Sequence, residues 1–142
     1  MSFKSNLINI VLVETSHPGN IGSVARAMKT MGLSELSLVN PRKFPSGEAN
    51  ALSGNATDVL ENAKIFDSIE DAIKDSTFVY ATSSRSRTIQ WPTVHAEEGA
   101  SLINNQVSSQ KKVSILFGRE DRGLTNEELQ LANTHIEIPA NP

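Results

Sequence analysis

Short apolar runs alternate along the chain with segments whose apolar residues recur at helical spacing. A continuous apolar run is typical of a parallel strand that is buried on both faces. The runs predict strands at Ile8–Val13, Leu36–Val39, Ile65–Phe66, Phe78–Thr82, Val113–Phe117 and His135–Ile138. The other segments predict a helix that starts at Asn20 and stops at Gly32, followed by helices at Thr57–Ala63, Ile69–Lys74, Ala96–Asn105 and Asn126–Ala132.

Polar residues and glycine mark the predicted helix ends. Asn20 is available as the cap of the first helix, and Gly32 ends it. Ser68 with Asp71 resembles a capping box, and Thr125 caps the last helix. Strands thus alternate with helices, which predicts an α/β fold with a mostly parallel sheet flanked by helices.

The segments that follow the strands are the candidate binding segments. In a parallel sheet, ligands bind outside the carboxyl ends of the strands. These segments are Glu14–Asn20, Asn40–Pro45, Ser83–Trp91, Gly118–Leu124 and Ala140–Pro142.

Composition limits the class of protein. The 142 residues suit one domain, and 38% of them are hydrophobic, which is enough for a single core. The absence of cysteine excludes disulfides and cysteine-ligated zinc, and it fits a cytosolic protein. His17, His95 and His135 lack metal-ligand spacing, and no apolar run approaches the roughly 20 residues of a membrane span. We therefore expect neither a metal nor a membrane partner.

Arginines are distributed unevenly. A net charge of −3 argues against a protein that coats nucleic acid by bulk charge. Five of the six arginines nevertheless follow predicted strands, and Arg26 lies just inside the first helix. The five are Arg42, Arg85, Arg87, Arg119 and Arg122, whereas Lys4, Lys64, Lys74, Lys111 and Lys112 lie elsewhere. Guanidinium groups bind phosphate in a bidentate fork, so the pattern suits local binding of a polyanion. The alternative explanation of this distribution is that loops are polar and arginine is common in them.

Familiar nucleotide-binding motifs are missing, but two other segments are candidates for a functional site. The sequence has no G-x-G-x-x-G after the first strand and no G-x-x-x-x-G-K-[ST]. Glu14–Arg26 (ETSHPGNIGSVAR) joins a buried strand to a helix. Leu116–Leu129 (LFGREDRGLTNEEL) contains Gly118, which would allow close approach of a ligand to the backbone, and Gly123 for a turn. Each segment could also be an ordinary connection between a strand and a helix. Asn20 would then be a helix cap, and Arg26 a solvated side chain.

Together, ETSHPGNIGSVARAMKTMG, FGREDRGLTNEEL and the final IPANP resemble the SpoU-type branch of the SPOUT methyltransferases, most closely the TrmJ-type tRNA ribose methyltransferases. The resemblance covers essentially the whole chain. It implies an α/β fold with a deep C-terminal trefoil knot, a cytoplasmic homodimer and S-adenosylmethionine bound at the knot. It also implies methyl transfer to a ribose 2′-hydroxyl in the tRNA anticodon loop.

The resemblance also implies site residues. Arg26 matches the catalytic arginine of the first motif, which also contains Asn20. The positions that match cofactor contacts are Thr82, Ser83, Ser84, Gly118 and Ile138. The arginine pattern, and not the resemblance, predicts that Arg85, Arg87, Arg119 and Arg122 bind neighbouring RNA phosphates. Trp91 would either stack on an exposed base or pack against Pro92.

Chemistry favours a positioning role for Arg26. A sulfonium is already a good electrophile, so the enzyme must align the ribose oxygen and help to remove its proton. An arginine pKa above about 12 makes proton abstraction by Arg26 costly. We therefore expect Arg26 to clamp a phosphate while the proton leaves to phosphate or water.

The chain departs from the family after Asn141-Pro142. The family's third motif continues with a Ser-Leu-Asn-type segment and the helix that completes the knot, and a helical C-terminal domain usually follows. We therefore expect residues 1–142 to be a catalytic domain truncated at its C-terminal end, with an open cofactor groove that binds weakly. A ribosomal-RNA ribose methyltransferase and a non-catalytic RNA-binding module are the alternatives.

Overall fold

The computed structural model describes residues 5–42, 44, 47–83 and 92–138. A single 3-10 turn, Ser5–Leu7, precedes the first strand. The strands are β1 (Ile8–Val13), β2 (Glu35–Val39), β3 (Lys64–Phe66), β4 (Phe78–Ser83), β5 (Thr93–His95), β6 (Val113–Phe117) and β7 (Thr134–Glu137). The helices are α1 (Pro18–Thr30), α2 (Gly47–Leu52), α3 (Thr57–Glu61), α4 (Ile69–Ile73), α5 (Ala96–Ser108) and α6 (Asn126–Leu129).

The strands form one sheet in the order β3-β2-β1-β6-β4-β7-β5, and every pairing between neighbours is parallel. β1 lies inside the sheet, with Val11 opposite Ser37 of β2 and Leu116 of β6. All six residues of β1 are buried, as its continuous apolar run predicts. The predicted α/β fold with a parallel sheet is confirmed. The C-terminal trefoil knot stays a prediction, since the described residues end at Ile138.

Alternate residues of β1 supply two cores, because successive side chains of a strand point to opposite faces. Ile8, Ile10 and Leu12 pack with apolar residues of α1, α2, α3 and α5. Val11 and Val13 pack on the other face, against α4 and α6. The sheet is therefore covered by helices on both faces.

α1 begins earlier than the sequence predicts. His17 occupies the N-cap position and Pro18 starts the helix, so Asn20 lies in the first turn and is not the cap. Proline suits the first helical position, because its φ is already helical and its missing N–H would have no intrahelical partner there. The predicted end is confirmed: Gly32 follows the helix with φ +78°.

Two elements escaped prediction, and several predicted elements end at different residues. α2 has Ala49 as its buried residue, and β5 is an edge strand without a buried side chain, so neither has a detectable apolar period. α5 runs on to Ser108, whereas α6 stops at Leu129. β7 begins one residue early, which leaves Ile138 just beyond its end.

A buried polar network crosses the centre of the sheet. The Asn9 side chain donates to Ser114 Oγ at 3.0 Å and accepts from Ser37 Oγ at 2.7 Å. Its amide also donates to the Ala72 carbonyl at 3.2 Å. The Asn9 side chain of β1 is thus hydrogen-bonded to β2, β6 and the end of α4. These hydrogen bonds compensate for its burial.

Candidate active site

A cavity of about 550 Å³ opens at the carboxyl ends of β4, β6 and β7, where ligands bind in parallel α/β sheets. Its lining residues are Thr82, Ser83, Phe117, Gly118, Arg119, Glu120, Asp121, Arg122, Gly123, Leu124 and Ile138. Four of the five positions expected to contact a cofactor thus surround one space. The fifth, Ser84, lies outside the described residues.

The hydroxyl and backbone groups of this cavity are held by neighbouring strands. Thr82 Oγ1 donates to the Leu116 carbonyl at 3.0 Å, across the β4–β6 pairing. The Ile138 amide donates to the Ser83 carbonyl at 2.8 Å, which extends the β4–β7 pairing by one residue. Hydrogen bonds between neighbouring strands therefore hold the wall made by the three strand ends.

The loop 118–124 folds back on itself to close the other wall. Arg119 and Gly123 exchange two backbone hydrogen bonds, and Gly123 turns the chain with φ +70°. A Cβ at Gly118 would overlap the returning backbone of Gly123 and Leu124. The sequence predicted close approach of a ligand at Gly118, and the structure shows close approach of the loop itself.

Arg119 does not point into solvent. Its guanidinium forms a two-pronged contact with the Glu128 carboxylate, at 2.9 Å on each prong, and lies 2.9 Å from Glu14 Oε2. The side chain is 14% exposed. Hydrogen bonding to Glu128 raises the pKa of Arg119. Burial opposes ionisation of Glu128, but the hydrogen bond from Arg119 outweighs it and lowers the pKa of that carboxyl. The expected phosphate contact of Arg119 would have to compete with these two carboxylates.

Glu120 faces the opposite way, towards the start of α1. Its carboxylate accepts hydrogen bonds from the Ser16 amide and hydroxyl at 3.3 Å, the His17 amide at 3.0 Å and Asn20 Nδ2 at 2.9 Å. Partial burial works against ionisation, but these donors and the Glu120 amide prevail and lower its pKa to about 2. Glu120 therefore supplies the anion that α1 lacks in its own first turn. Sequence reasoning missed it, because no local pattern signals a partner 100 residues away.

The two predicted catalytic residues lie on different sides of α1. Asn20 is held by Glu120 beside the cavity. Arg26 is exposed one and a half turns later, where a Cβ on Gly54 would lie 3.8 Å from Arg26 Cδ. Lys29 and Asp58, 2.8 Å apart, join the same stretch of α1 to α3. The structure thus brings Asn20, but not Arg26, to the cavity rim.

Comparison with known proteins identifies the family of this chain. The model of the SpoU rRNA Methylase family matches residues 7–142. The chain belongs to this family. It is 52% identical to tRNA (cytidine/uridine-2′-O-)-methyltransferase TrmJ of Sodalis glossinidius (strain morsitans), over 94% of this chain and 52% of that protein. It is 48% identical to tRNA (cytidine/uridine/adenosine-2′-O-)-methyltransferase TrmJ of Pseudomonas aeruginosa (strain UCBPP-PA14), over 95% of this chain and 52% of that protein.

The fold also matches a solved relative. The crystal structure of TrmJ from Z. mobilis ZM4 has a TM-score of 0.86 at 38% identity, covering 94% of this chain and 59% of that chain. The resemblance seen in the two sequence motifs is therefore confirmed. This SpoU-family chain spans about half the length of the curated relatives it matches.

The other predicted arginines of this SpoU-family chain differ from Arg119. The Arg122 side chain is 76% exposed at the cavity mouth, with Asp121 3.7 Å away. Arg42, also exposed, follows β2, and its amide donates to the Thr15 carbonyl at 3.4 Å. Arg85, Arg87 and Trp91 lie outside the described residues.

An apolar groove of about 300 Å³ runs along α1 on the side of Asn20. Its apolar lining includes Ile10, Leu12, Val24, Ala27, Met28, Met31 and Phe117. Met31, at its end, is 57% exposed. Sequence periodicity assigned Val24 and Met28 to the core face of α1 but did not reveal that a groove remains there.

Neither metal nor membrane features emerge in the part of the chain that the structure describes. Its His, Asp and Glu side chains form no group of three that could hold a metal ion. His17 is exposed, His95 lies 3.6 Å from Glu137, and buried His135 donates from Nε2 to the Leu129 carbonyl at 2.8 Å. Across the same residues, every helix is too short or too polar to cross a membrane.

Proposed function

We propose that this chain is the catalytic domain of an S-adenosylmethionine-dependent methyltransferase that modifies a ribose 2′-hydroxyl in the anticodon loop of cytoplasmic tRNA. One observation carries the proposal: Thr82, Ser83, Gly118 and Ile138 converge on one cavity in a SpoU-family chain. The relatives named above, about half identical over nearly all of this chain, are tRNA 2′-O-methyltransferases.

The residues of the cavity fit S-adenosylmethionine. Its volume falls within the range of about 300–1,000 Å³ typical of small-molecule sites. Phe117, Leu124 and Ile138 offer apolar surface, and the exposed Asp121 carboxylate lies where it would attract a cationic ligand. Thr82, Ser83, Gly118 and Ile138 would hold the cofactor. When bound, it supplies a methyl group on a sulfonium, which is already a good electrophile.

The chain's own task is then to orient RNA. Asn20, fixed by Glu120 at the cavity rim, is suited to direct the ribose. Arg26 clamps a phosphate with its planar fork, and the ribose proton leaves to phosphate or water. Arg122, Arg85 and Arg87 bind neighbouring phosphates. This division leaves proton abstraction to groups with a more suitable pKa than a guanidinium.

We further propose that the protein acts as a homodimer. The apolar groove along α1 supports this, because it leaves Met31 more than half exposed beside Val24 and Phe117. Arg26 also lies away from the cavity of its own chain, so the RNA must contact more than the cavity rim. Sedimentation of the wild-type protein and a Met31→Glu variant tests this: a monomeric wild type contradicts the dimer.

Transfer of a radiolabelled methyl group tests the function. The protein is incubated with labelled S-adenosylmethionine and either total tRNA or ribosomal RNA, and the RNA is then digested with a nuclease that requires a free 2′-hydroxyl. We expect label in a nuclease-resistant dinucleotide from tRNA. Label in ribosomal RNA alone would favour the alternative that the family's description suggests. RNA binding without methyl transfer would identify a non-catalytic binding module.

A further inference from the structure

The Arg119 side chain contacts two carboxylates and one backbone carbonyl. Nη1 donates to Glu128 Oε1 at 2.9 Å and to the Gly123 carbonyl at 3.2 Å. Nη2 donates to Glu128 Oε2 at 2.9 Å and lies 2.9 Å from Glu14 Oε2. The guanidinium therefore connects three parts of the chain: the end of β1, the returning loop and the first turn of α6.

We infer that Arg119 is a positioning residue, which holds the 118–124 wall of the proposed cofactor cavity and does not bind RNA phosphate. The inference rests on the proposed function, since it assigns the cavity to the cofactor. It replaces the expectation, drawn from the arginine pattern, that Arg119 contacts RNA.

Charge compensation is the first reason. Two carboxylates meet one guanidinium that is only 14% exposed. A phosphate could recruit Arg119 only by leaving Glu14 or Glu128 partly buried without its cation, which is costly. Bidentate geometry adds to this cost, because the Glu128 fork fixes the plane of the guanidinium.

The second reason is that both carboxylates hold backbone next to the cavity. Glu128 accepts from the Thr125 amide at 2.7 Å, and its own amide donates to Thr125 Oγ1, so it completes the capping box of α6. Leu124, adjacent to this cap, lines the cavity. Glu14 has φ +52°, a conformation that non-glycine residues seldom adopt, and its amide donates to the Val39 carbonyl. Arg119 thus joins two constrained segments to the cavity wall.

Arg122 provides the contrast within the same loop. Its side chain is 76% exposed, and its carboxylate neighbour Asp121 is equally open, at 74%. Such a surface pair contributes little and yields readily to another anion. The two arginines of the loop therefore have separate roles, one internal and one towards RNA.

Arg119→Met and Arg122→Met test the division, with three readouts on each full-length variant: the melting temperature, the cofactor Kd by calorimetry, and RNA affinity as a function of salt. We expect Arg119→Met to raise the cofactor Kd about tenfold, the equivalent of one lost buried charge-assisted bond. Its RNA salt slope should match that of wild type. Arg122→Met should instead lower the slope by about 0.7–0.9, the value for one phosphate contact.

Turnover separates positioning from general destabilisation. Arg119→Met should raise the KM for cofactor while kcat at saturating cofactor stays near wild type, because the bound cofactor restores the wall. Arg119→Lys keeps the positive charge but cannot form the bidentate contact. Its KM for cofactor should therefore fall between those of Arg119→Met and wild type. An unchanged cofactor Kd in Arg119→Met, or a salt slope reduced as in Arg122→Met, would overturn the inference.

Glu14→Gln keeps the test decisive if Arg119→Met does not fold, since it leaves the Glu128 fork intact. We expect a cofactor Kd about threefold higher than wild type, and an unchanged Kd would overturn the inference. Wild-type protein that fails to bind cofactor would contradict the proposed function and this inference together. Normal binding by wild type and by every variant would contradict this inference alone.

Discussion

On the cavity side of the site, the loop 118–124 is fixed by a backbone bridge, by Arg119 and by Glu120. On the helix side, Arg26 stands exposed on α1, beside the turn at Gly54. The difference matches what each side is proposed to bind. A small cofactor gains affinity from a preformed wall, because little ordering remains to oppose binding. A large polyanion brings its own structure and needs exposed charges that can reach it.

The largest effect should come from the open side. Arg26→Ala should lower turnover about 10²–10³-fold, since misalignment of the reacting groups alone costs about that much. Its cofactor Kd should remain near wild type, because Arg26 does not line the cavity. Arg26→Lys should recover turnover only in part, since a point charge lacks the planar fork. Single-turnover kinetics measures the turnover of each variant, and calorimetry measures its cofactor Kd. Wild-type turnover in Arg26→Ala would show that Arg26 has no catalytic role.

The next effect should come from the fixed side. Gly118→Ala should destabilise the fold by about 2–3 kcal/mol and abolish measurable cofactor binding, because a Cβ overlaps the returning loop. Gly47→Ala is the control, at the start of α2, where no described atom lies within 4 Å of an added Cβ. Denaturant unfolding and calorimetry measure the two effects. Equal stability of both variants would mean that the loop relaxes freely and that the two sides do not differ in rigidity.

On both sides of the site, the elements that could be predicted from the sequence are those with local sequence signals. The run Ile8–Val13 predicted the bounds of β1, because burial on both faces favours apolar residues at every position of the strand except Asn9. Ser68 accepts from the Asp71 amide, and Thr125 completes a full capping box with Glu128, as short-range patterns predict. Such signals depend on residues three or four positions apart, so one sequence is enough to reveal them.

What the sequence could not reveal depends on distant partners. Arg119 and Arg122 are three positions apart in one charged loop, and only the fold turns the first towards Glu14. The same holds for Glu120, whose partners are about 100 residues earlier in the chain. Clustering of arginines after strands therefore predicted a binding edge, but it did not separate a cation paired inside the protein from an exposed one.

A smaller effect should distinguish the exposed arginines from the lysines. Arg122→Glu should weaken RNA binding about tenfold at low salt and flatten its salt dependence. Arg85→Glu and Arg87→Glu should act in the same direction. Lys74→Glu, in the segment after α4, should change RNA affinity much less. Filter binding across a salt series measures the RNA affinity of each variant. Equal losses of RNA affinity in Arg122→Glu and Lys74→Glu would show that the arginine clustering is accidental.

The smallest effect concerns the junction between the two sides. The pKa of Glu120 is lowered to about 2, so its carboxylate stabilises the fold above pH about 4.5, and this contribution disappears as the pH falls towards 2. Solvent screening of this exposed group leaves about 1 kcal/mol. Glu120→Gln should lose that amount at pH 7 and show a shallower decline in stability between pH 5 and 2.

Asp121→Asn is the matched control for this measurement, since it removes the adjacent carboxylate, whose side chain is 74% exposed. It should lose less stability than Glu120→Gln at pH 7 in urea unfolding. A Glu120→Gln variant as stable as wild type at pH 7 would show that the start of α1 does not depend on this anion.

The Asn9 network also bears on how the chain assembles. Ser114 follows Asn9 by 105 positions, so β6 must insert beside β1 long after that strand is made. Apolar strands with similar side chains would tolerate a slip of one residue, which carries every side chain to the opposite face. A slipped β6 would move the Ser114 hydroxyl away from the Asn9 amide and leave that hydrogen bond unmade in the apolar interior. This amide group therefore favours the correct register of β6, the strand that leads into the loop 118–124.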